Sequence, residues 1–365
     1  MYSLRSATVS LSRSDTSLTK FGGGSSPHAA GAKSAAGAKS TNARMRPMAK
    51  SLGFRAALVT GWFVLSAAGL LYARFKDIPN WAALPVLAAF LVEYPFYLLP
   101  GFPELRKRLS GAALPLFLCV SALLPYLACY LSLGQFHWAN LVKLAALALA
   151  LALWYVVLPI TAITDLGFLI LSGAVLISSY LDAIYTDPYP GVKTSILGRL
   201  TVFHITILVL LIQRRIQETG YGFIPNWREW RIGALHYFYF LPIAAGVALP
   251  LQAVHLAAPA PLWKTIGIFL GFFWVVALFE EFVFRGVLQQ WLEEWIRRPA
   301  ASLLVTSLLF GSVHLWFRGF PNWRWALIAA ILGWFCGHAR NQAGSIRAGV
   351  VTHALVVATW RGFFA

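Results

Sequence analysis

The sequence predicts an all-α, polytopic transmembrane bundle of about ten to eleven spans, and three observations predict it. Of 365 residues, 59% are hydrophobic and 12% charged, against roughly 45–50% and 25% in soluble domains. The apolar residues fall in runs of about 20, the length of a bilayer-crossing helix, without the strand-type alternation of a membrane barrel. The formal charge is +17, but the basic residues sit in an N-terminal tail and in short loops. In a membrane protein that placement sets topology, so no nucleic-acid partner is expected.

Residues 1–55 come first, with nine Lys and Arg, one acid (Asp15) and the repeat GAKS at 31–34 and 37–40. Such a segment buries too little apolar surface to offset its ordering entropy, so it is expected to be a disordered basic tail. No apolar stretch stands close enough behind the start for a cleavable secretory signal. That leaves a cytoplasmic tail on a multi-pass cell-membrane protein or, alternatively, a transit peptide of an organellar membrane protein.

Spans follow near 56–73, 81–100, 111–133, 138–160, 164–181, 195–213, 233–254, 264–287, 301–317, 325–338 and 347–364. Lipid offers no partner for a backbone N–H or C=O, so each span is a helix. Residues 56–219 are expected to be accessory helices and 220–365 the functional core. With the tail inside, the inner loops carry Arg106, Lys107 and Arg108, then Arg214, Arg215, Arg228 and Arg231, then Arg297 and Arg298, then Arg340 and Arg347. That obeys the positive-inside rule, with Arg318 and Arg324 as exceptions. The stretch 220–240 sets Trp227 and Trp230 beside Arg228 and Arg231 and reads as an interfacial anchor. Glu93, Lys143, Asp165 and Arg199 read as interfacial or capping groups. Cys119, Cys129 and Cys336 lie in apolar runs, too few for a disulfide scaffold or a four-cysteine zinc site.

Ionisable groups inside spans are costly, and the last third concentrates them. FWVVALFEEFVFRGVLQQW carries Glu280, Glu281 and Arg285. On an α-helix Glu281 and Arg285 are one turn apart and pair, while Glu280 is offset by about 100° and free to face a cavity. The alternative is a buried ion cluster that holds the bundle. His314 follows in LLFGSVHLWF, one turn after Phe310 and beside Gly311, which allows close helix approach. His353 stands in the last span, after the turn-forming run NQAGSIRAG. Each histidine alone reads as a core residue; with the carboxylate they suggest one site. Glu280, His314 and His353 could ligate zinc, but no H-E-x-x-H spacing supports a metal. The simpler expectation is metal-free and without a cofactor: Glu280 takes a proton from water, and the histidines hold the water and stabilise the oxyanion.

The order E-E-x-x-x-R at Glu280–Arg285, F-x-x-x-H at Phe310–His314 and a final-span histidine, His353, resembles the CPBP intramembrane proteases. That family includes CAAX prenyl endopeptidases and the bacteriocin-processing or self-immunity (ABI) proteins. The resemblance covers about residues 220–360. It implies peptide-bond hydrolysis within the membrane, acting on a membrane-associated protein or peptide. It assigns water activation to Glu280, water binding or carbonyl polarisation to His314, the oxyanion site to His353 and helix geometry to Glu281 and Arg285. The family pattern places Asn or Asp one turn after the last histidine, where this chain has Val357. Thr352, Thr359 or the Trp360 indole are the candidate substitutes. Two other classes stay open: a transporter or channel with an intramembrane proton relay, and a catalytically weak scaffold of the same fold.

Overall fold

The structure, a computed structural model, describes residues 32–109, 111–216 and 219–364, with side chains from residue 53. Residues 1–31 of the predicted tail lie outside the described residues. The first helix, α1, runs Ala32–Phe75, so it begins well before the span predicted from residue 56. It is followed by α2 Asn80–Leu98, α3 Ala113–Ser132, α4 Trp138–Val157, α5 Ala162–Ile177 and α6 Ser195–Leu208. The C-terminal part holds α7 Trp227–Ala248, α8 Leu262–Ile296, α9 Pro299–Ser312, α10 Trp323–Ala343 and α11 Ile346–Phe363. No strand occurs among the described residues; an isolated bridge between Leu256 and Phe364 ties the loop before α8 to the end of α11. The chain is a multi-pass all-α membrane bundle.

The run expected as a span at 164–181 needs correction. Seven helices among the described residues are long and apolar enough to cross a membrane: Gly53–Phe75, Asn80–Gly101, Ala113–Ser132, Trp138–Val157, Ser195–Gln213, Leu262–Ile296 and Pro299–Trp316. The other four expected spans give helices that are shorter or less apolar. The run 164–181 gives α5, only 16 residues long, and then the separate helix Tyr180–Ile184. The runs 233–254, 325–338 and 347–364 give α7, α10 and α11, which have the length, at 22, 21 and 18 residues, but not the apolarity. Their polar residues have protein partners: α7 packs on α10 and α11, and α10 also packs on α9 and α11. Side chains that face other helices need not be lipid-soluble, which is why these helices carry more polar residues than a lipid-facing one.

Local sequence fixes the corners that matter for the site. Asn226 accepts from the Glu229 N–H and Glu229 returns a carboxylate to the Asn226 N–H, a capping box that starts α7. Gly344, at φ 70°, ends α10 in the left-handed conformation that glycine adopts without penalty, and Ser345 caps α11. NQAGSIRAG is thus a tight helix–helix corner, and His353 stands two turns beyond it. Gly311 lies against α10 so closely that a β-carbon there would stand 2.5 Å from the Ala326 carbonyl oxygen.

Glu93 is a second correction. It is wholly buried on α2, not interfacial; its Oε1 is 2.7 Å from His204 Nδ1, whose Nε2 is 2.8 Å from Ser121 Oγ. This chain links α2, α6 and α3. Asp165 does sit in the first turn of α5, where it accepts from Tyr155 and from two guanidinium nitrogens of Arg214.

Candidate active site

The site is built on α8, α9 and α11. Two π segments, Phe272–Val276 and Phe282–Leu288, flank a single α turn, Ala277–Glu281. π turns are rare and cluster at functional sites, because the wider turn redirects side chains without breaking the helix. Glu280 and Glu281 stand in the α turn and take opposite surroundings. Glu280 keeps 28% of its side chain exposed and lines a cavity of about 320 Å³. Glu281 is fully buried.

His353 reaches both carboxylates. Its Nδ1 donates to Glu281 Oε1 at 3.0 Å, and its Nε2 stands 3.8 Å from Glu280 Oε2. An ionised carboxylate only accepts, so the bond to Glu281 places the proton on Nδ1 and turns Nε2 toward Glu280. His314 lies in the 3₁₀ turn Val313–Trp316 that follows α9, and its Nδ1 donates to the Phe310 carbonyl at 2.7 Å. That leaves its Nε2 as the free nitrogen. The Phe310 ring brings the two histidines together: it is 4.7 Å from the His314 ring, centroid to centroid, and 5.7 Å from that of His353. Glu280, His314 and His353 therefore line one cavity, the juxtaposition expected from the sequence.

Arg285 pairs with Glu281 as expected, Nη1 to Oε1 at 3.2 Å, and both side chains are fully buried. The contact lacks hydrogen-bond alignment, and none of the guanidinium nitrogens has a hydrogen-bond partner. The guanidinium instead stacks on Phe310, Cζ to centroid 4.3 Å. Glu281 thus does more than neutralise Arg285: it also holds His353, a link across 72 positions that no local spacing reveals.

Val357 is buried and lines the cavity. Of its candidate substitutes, Thr352 is turned away and bonds the Gly233 carbonyl on α7. Thr359 lines the cavity but bonds Tyr237, while the Trp360 indole, also in the wall, is buried without a partner. The remaining wall is mainly apolar, from α7, α8, α10 and α11, and includes Arg361.

Among the described residues, the three ligand-type groups that come within 4.8 Å of one another are Glu281, Cys336 and His353. They differ from the set considered for zinc; Glu280, His314 and His353 are not gathered that tightly. The Arg285 cation beside Glu281 opposes a divalent ion there, and the His353 nitrogen that faces Glu281 carries the proton of their hydrogen bond and offers no lone pair. The donor set fits a hydrogen-bonded carboxylate–imidazole pair better than a metal centre.

Residues 262–359 match the family model described as type II CAAX prenyl endopeptidase Rce1-like. The matched segment runs from the start of α8 into the last turn of α11 and contains Glu280, Glu281, Arg285, His314, His353 and Val357. It bears out the resemblance to the CPBP proteases; the helices before it lie outside the match. Comparisons with curated proteins and with solved structures gave no match.

Proposed function

We propose that this chain, whose C-terminal segment is of the CPBP intramembrane protease type, is an endopeptidase that cuts a peptide bond in a membrane-associated protein, with Glu280 as general base and no metal. The observation that carries the reading is the pairing of one half-exposed and one buried carboxylate on a single histidine at the wall of a largely apolar cavity. Glu280 accepts a proton from water, and the water oxygen bonds to the scissile carbonyl carbon. Charge then moves onto the carbonyl oxygen. His353 stabilises that charge as the imidazolium, with Nδ1–H on Glu281 and a second proton on Nε2 aimed at the oxygen, and His314, whose Nδ1–H is spent on the Phe310 carbonyl, holds the water as an acceptor at Nε2. Glu280 returns its proton to the leaving nitrogen as the C–N bond breaks, so the products are a carboxylate and an amine.

A scaffold of the same fold is the second reading, and Val357 favours it, since the cavity wall is apolar where the family carries a donor. The two readings separate on variants assayed by the length of a membrane-anchored reporter peptide. Glu280→Gln, His314→Ala and His353→Ala are each expected to abolish cleavage, while Glu280→Gln inserts and folds as the parent does. Full cleavage by Glu280→Gln removes the general-base reading. The tail is proposed to lie on the cytoplasmic side, which protease protection of residues 1–55 in sealed vesicles tests.

A further inference from the structure

Hydrolysis consumes one water per turnover, and the cavity that holds Glu280 is walled mostly by apolar side chains. A polar row leaves the site in another direction. Glu281, Arg285, Gln289 and Glu293 recur every four residues on α8, a length of about 18 Å at 1.5 Å per residue. The first three are fully buried. The fourth is 26% exposed and lines a polar pocket of about 730 Å³ with Arg214, Glu294, Arg340 and Asn341.

Two features mark this row as more than an ion cluster, its unsatisfied atoms and its continuity with the pocket. Half of the buried side-chain polar atoms without a partner, among the described residues, lie in it: Glu281 Oε2, the three nitrogens of Arg285 and Gln289 Oε1. Buried polar atoms in native proteins are nearly always satisfied, by protein or by water. Glycines bring the backbones of the neighbouring helices into close contact with these same atoms and so form the walls of the row. A β-carbon at Gly333 would stand 3.0 Å from Arg285 Nη2, one at Gly337 3.2 Å from Gln289 Oε1, and one at Gly349 2.8 Å from Glu281 Oε2. At its outer end the row is continuous with the pocket, because Gln289 Nε2 donates to Glu293 Oε1 at 2.9 Å and to Asn341 Oδ1 at 3.0 Å.

We propose that the row Glu281–Arg285–Gln289–Glu293, bounded by Gly333, Gly337 and Gly349, is a hydrated conduit that delivers water to the carboxylate–histidine pair from the polar pocket. The proposal rests on the hydrolase reading for its purpose, but not for its existence. Its inner end is Glu281, which bonds His353 Nδ1, and the Nε2 of the same ring stands 3.8 Å from Glu280, so His353 joins the row to the cavity. Gln289 acts here as a positioning residue: it links the water column to Glu293 and touches no substrate.

The test uses the full chain in sealed vesicles with 2-aminoethyl methanethiosulfonate, a small charged thiol reagent, and mass spectrometry to separate the introduced cysteine from Cys119, Cys129 and Cys336. Gln289→Cys is expected to be modified at least ten-fold faster than Leu304→Cys, which stands exposed on the outside of α9. Equal, slow modification of both overturns the conduit. Gln289→Leu, which replaces the amide with an apolar side chain, is expected to lower kcat at least ten-fold with KM and thermal midpoint unchanged. A loss of kcat that only follows a fall in the midpoint, or an unchanged kcat, overturns the water-supply role. Modification of Gln289→Cys is also measured in a Glu280→Gln background, where it is expected to persist. Should Glu280→Gln keep full cleavage while Gln289→Cys still reacts quickly, the general base has been misassigned and the conduit stands.

Discussion

Glu281 and Glu280 are adjacent in sequence, yet their substitution should have opposite signatures. Glu281→Ala removes the acceptor of His353 Nδ1 and the counter-charge of Arg285, whose guanidinium is fully buried and has no hydrogen-bond partner of its own. A lost charge-assisted hydrogen bond costs about 1.5–3 kcal/mol, and breaking a buried ion pair costs about 3–5 kcal/mol because the survivor is left charged and unpaired. The two overlap in one carboxylate, so about 3–5 kcal/mol is the upper bound of the loss, reduced by whatever water the row supplies to Arg285. That is a large part of an ordinary stability of about 5–15 kcal/mol. Glu280 is part-exposed to the cavity and 3.8 Å from its nearest charged partner, so Glu280→Gln should change stability by less than about 1 kcal/mol. The assay is denaturant unfolding in detergent micelles, followed by the fluorescence of the 15 tryptophans, alongside cleavage of a reporter peptide. Both variants should lose cleavage and only Glu281→Ala should lose stability. The double variant Glu281→Leu, Arg285→Met removes both charges together and should recover at least half of the lost stability without recovering activity. Equal stability of the two single variants, or no recovery in the double variant, would refute the claim that Glu281–Arg285 is a buried pair supporting the site.

Three further outcomes follow from the same geometry. Val357→Asn sets a donor in the cavity wall and should raise kcat on the reporter peptide, with an upper bound of about 2.7–4 kcal/mol of transition-state stabilisation; a fall in kcat would indicate that another group already fills that role. His204→Ala leaves Glu93 buried without its 2.7 Å partner and should cost about 1–3 kcal/mol in the same unfolding assay, with cleavage per folded molecule unchanged. Cleavage by purified protein should persist in excess chelator, and loss of activity that added zinc restores would overturn the metal-free reading.

Much of the candidate site was legible because lipid is a severe filter. A carboxylate, a guanidinium or an imidazole in an apolar helix needs a reason, so Glu280, Arg285, His314 and His353 stood out against their surroundings. The same filter misled where helices face protein. α7, α10 and α11 are sparser in apolar residues because they pack on one another, and Glu93, expected to be interfacial or capping, is sealed between α2, α3 and α6. The π turns on either side of Glu280 have no signature in residue type. Nor does the bond from His353 to Glu281, which joins residues 72 positions apart.

By itself the sequence determined the class of molecule: runs of about 20 apolar residues can satisfy their backbone within lipid only as helices, and the scarcity of charge made each intramembrane ionisable group conspicuous. It also singled out the candidate side chains for chemistry. Only the tertiary structure decided how two neighbouring carboxylates divide their roles. That division depends on which helix lies opposite each of them: α11 brings one imidazole against both, Arg285 and Phe310 bury one, and the cavity leaves the other exposed. Side-chain environment in a bundle is set by neighbours distant in the chain, and local periodicity carries no record of them.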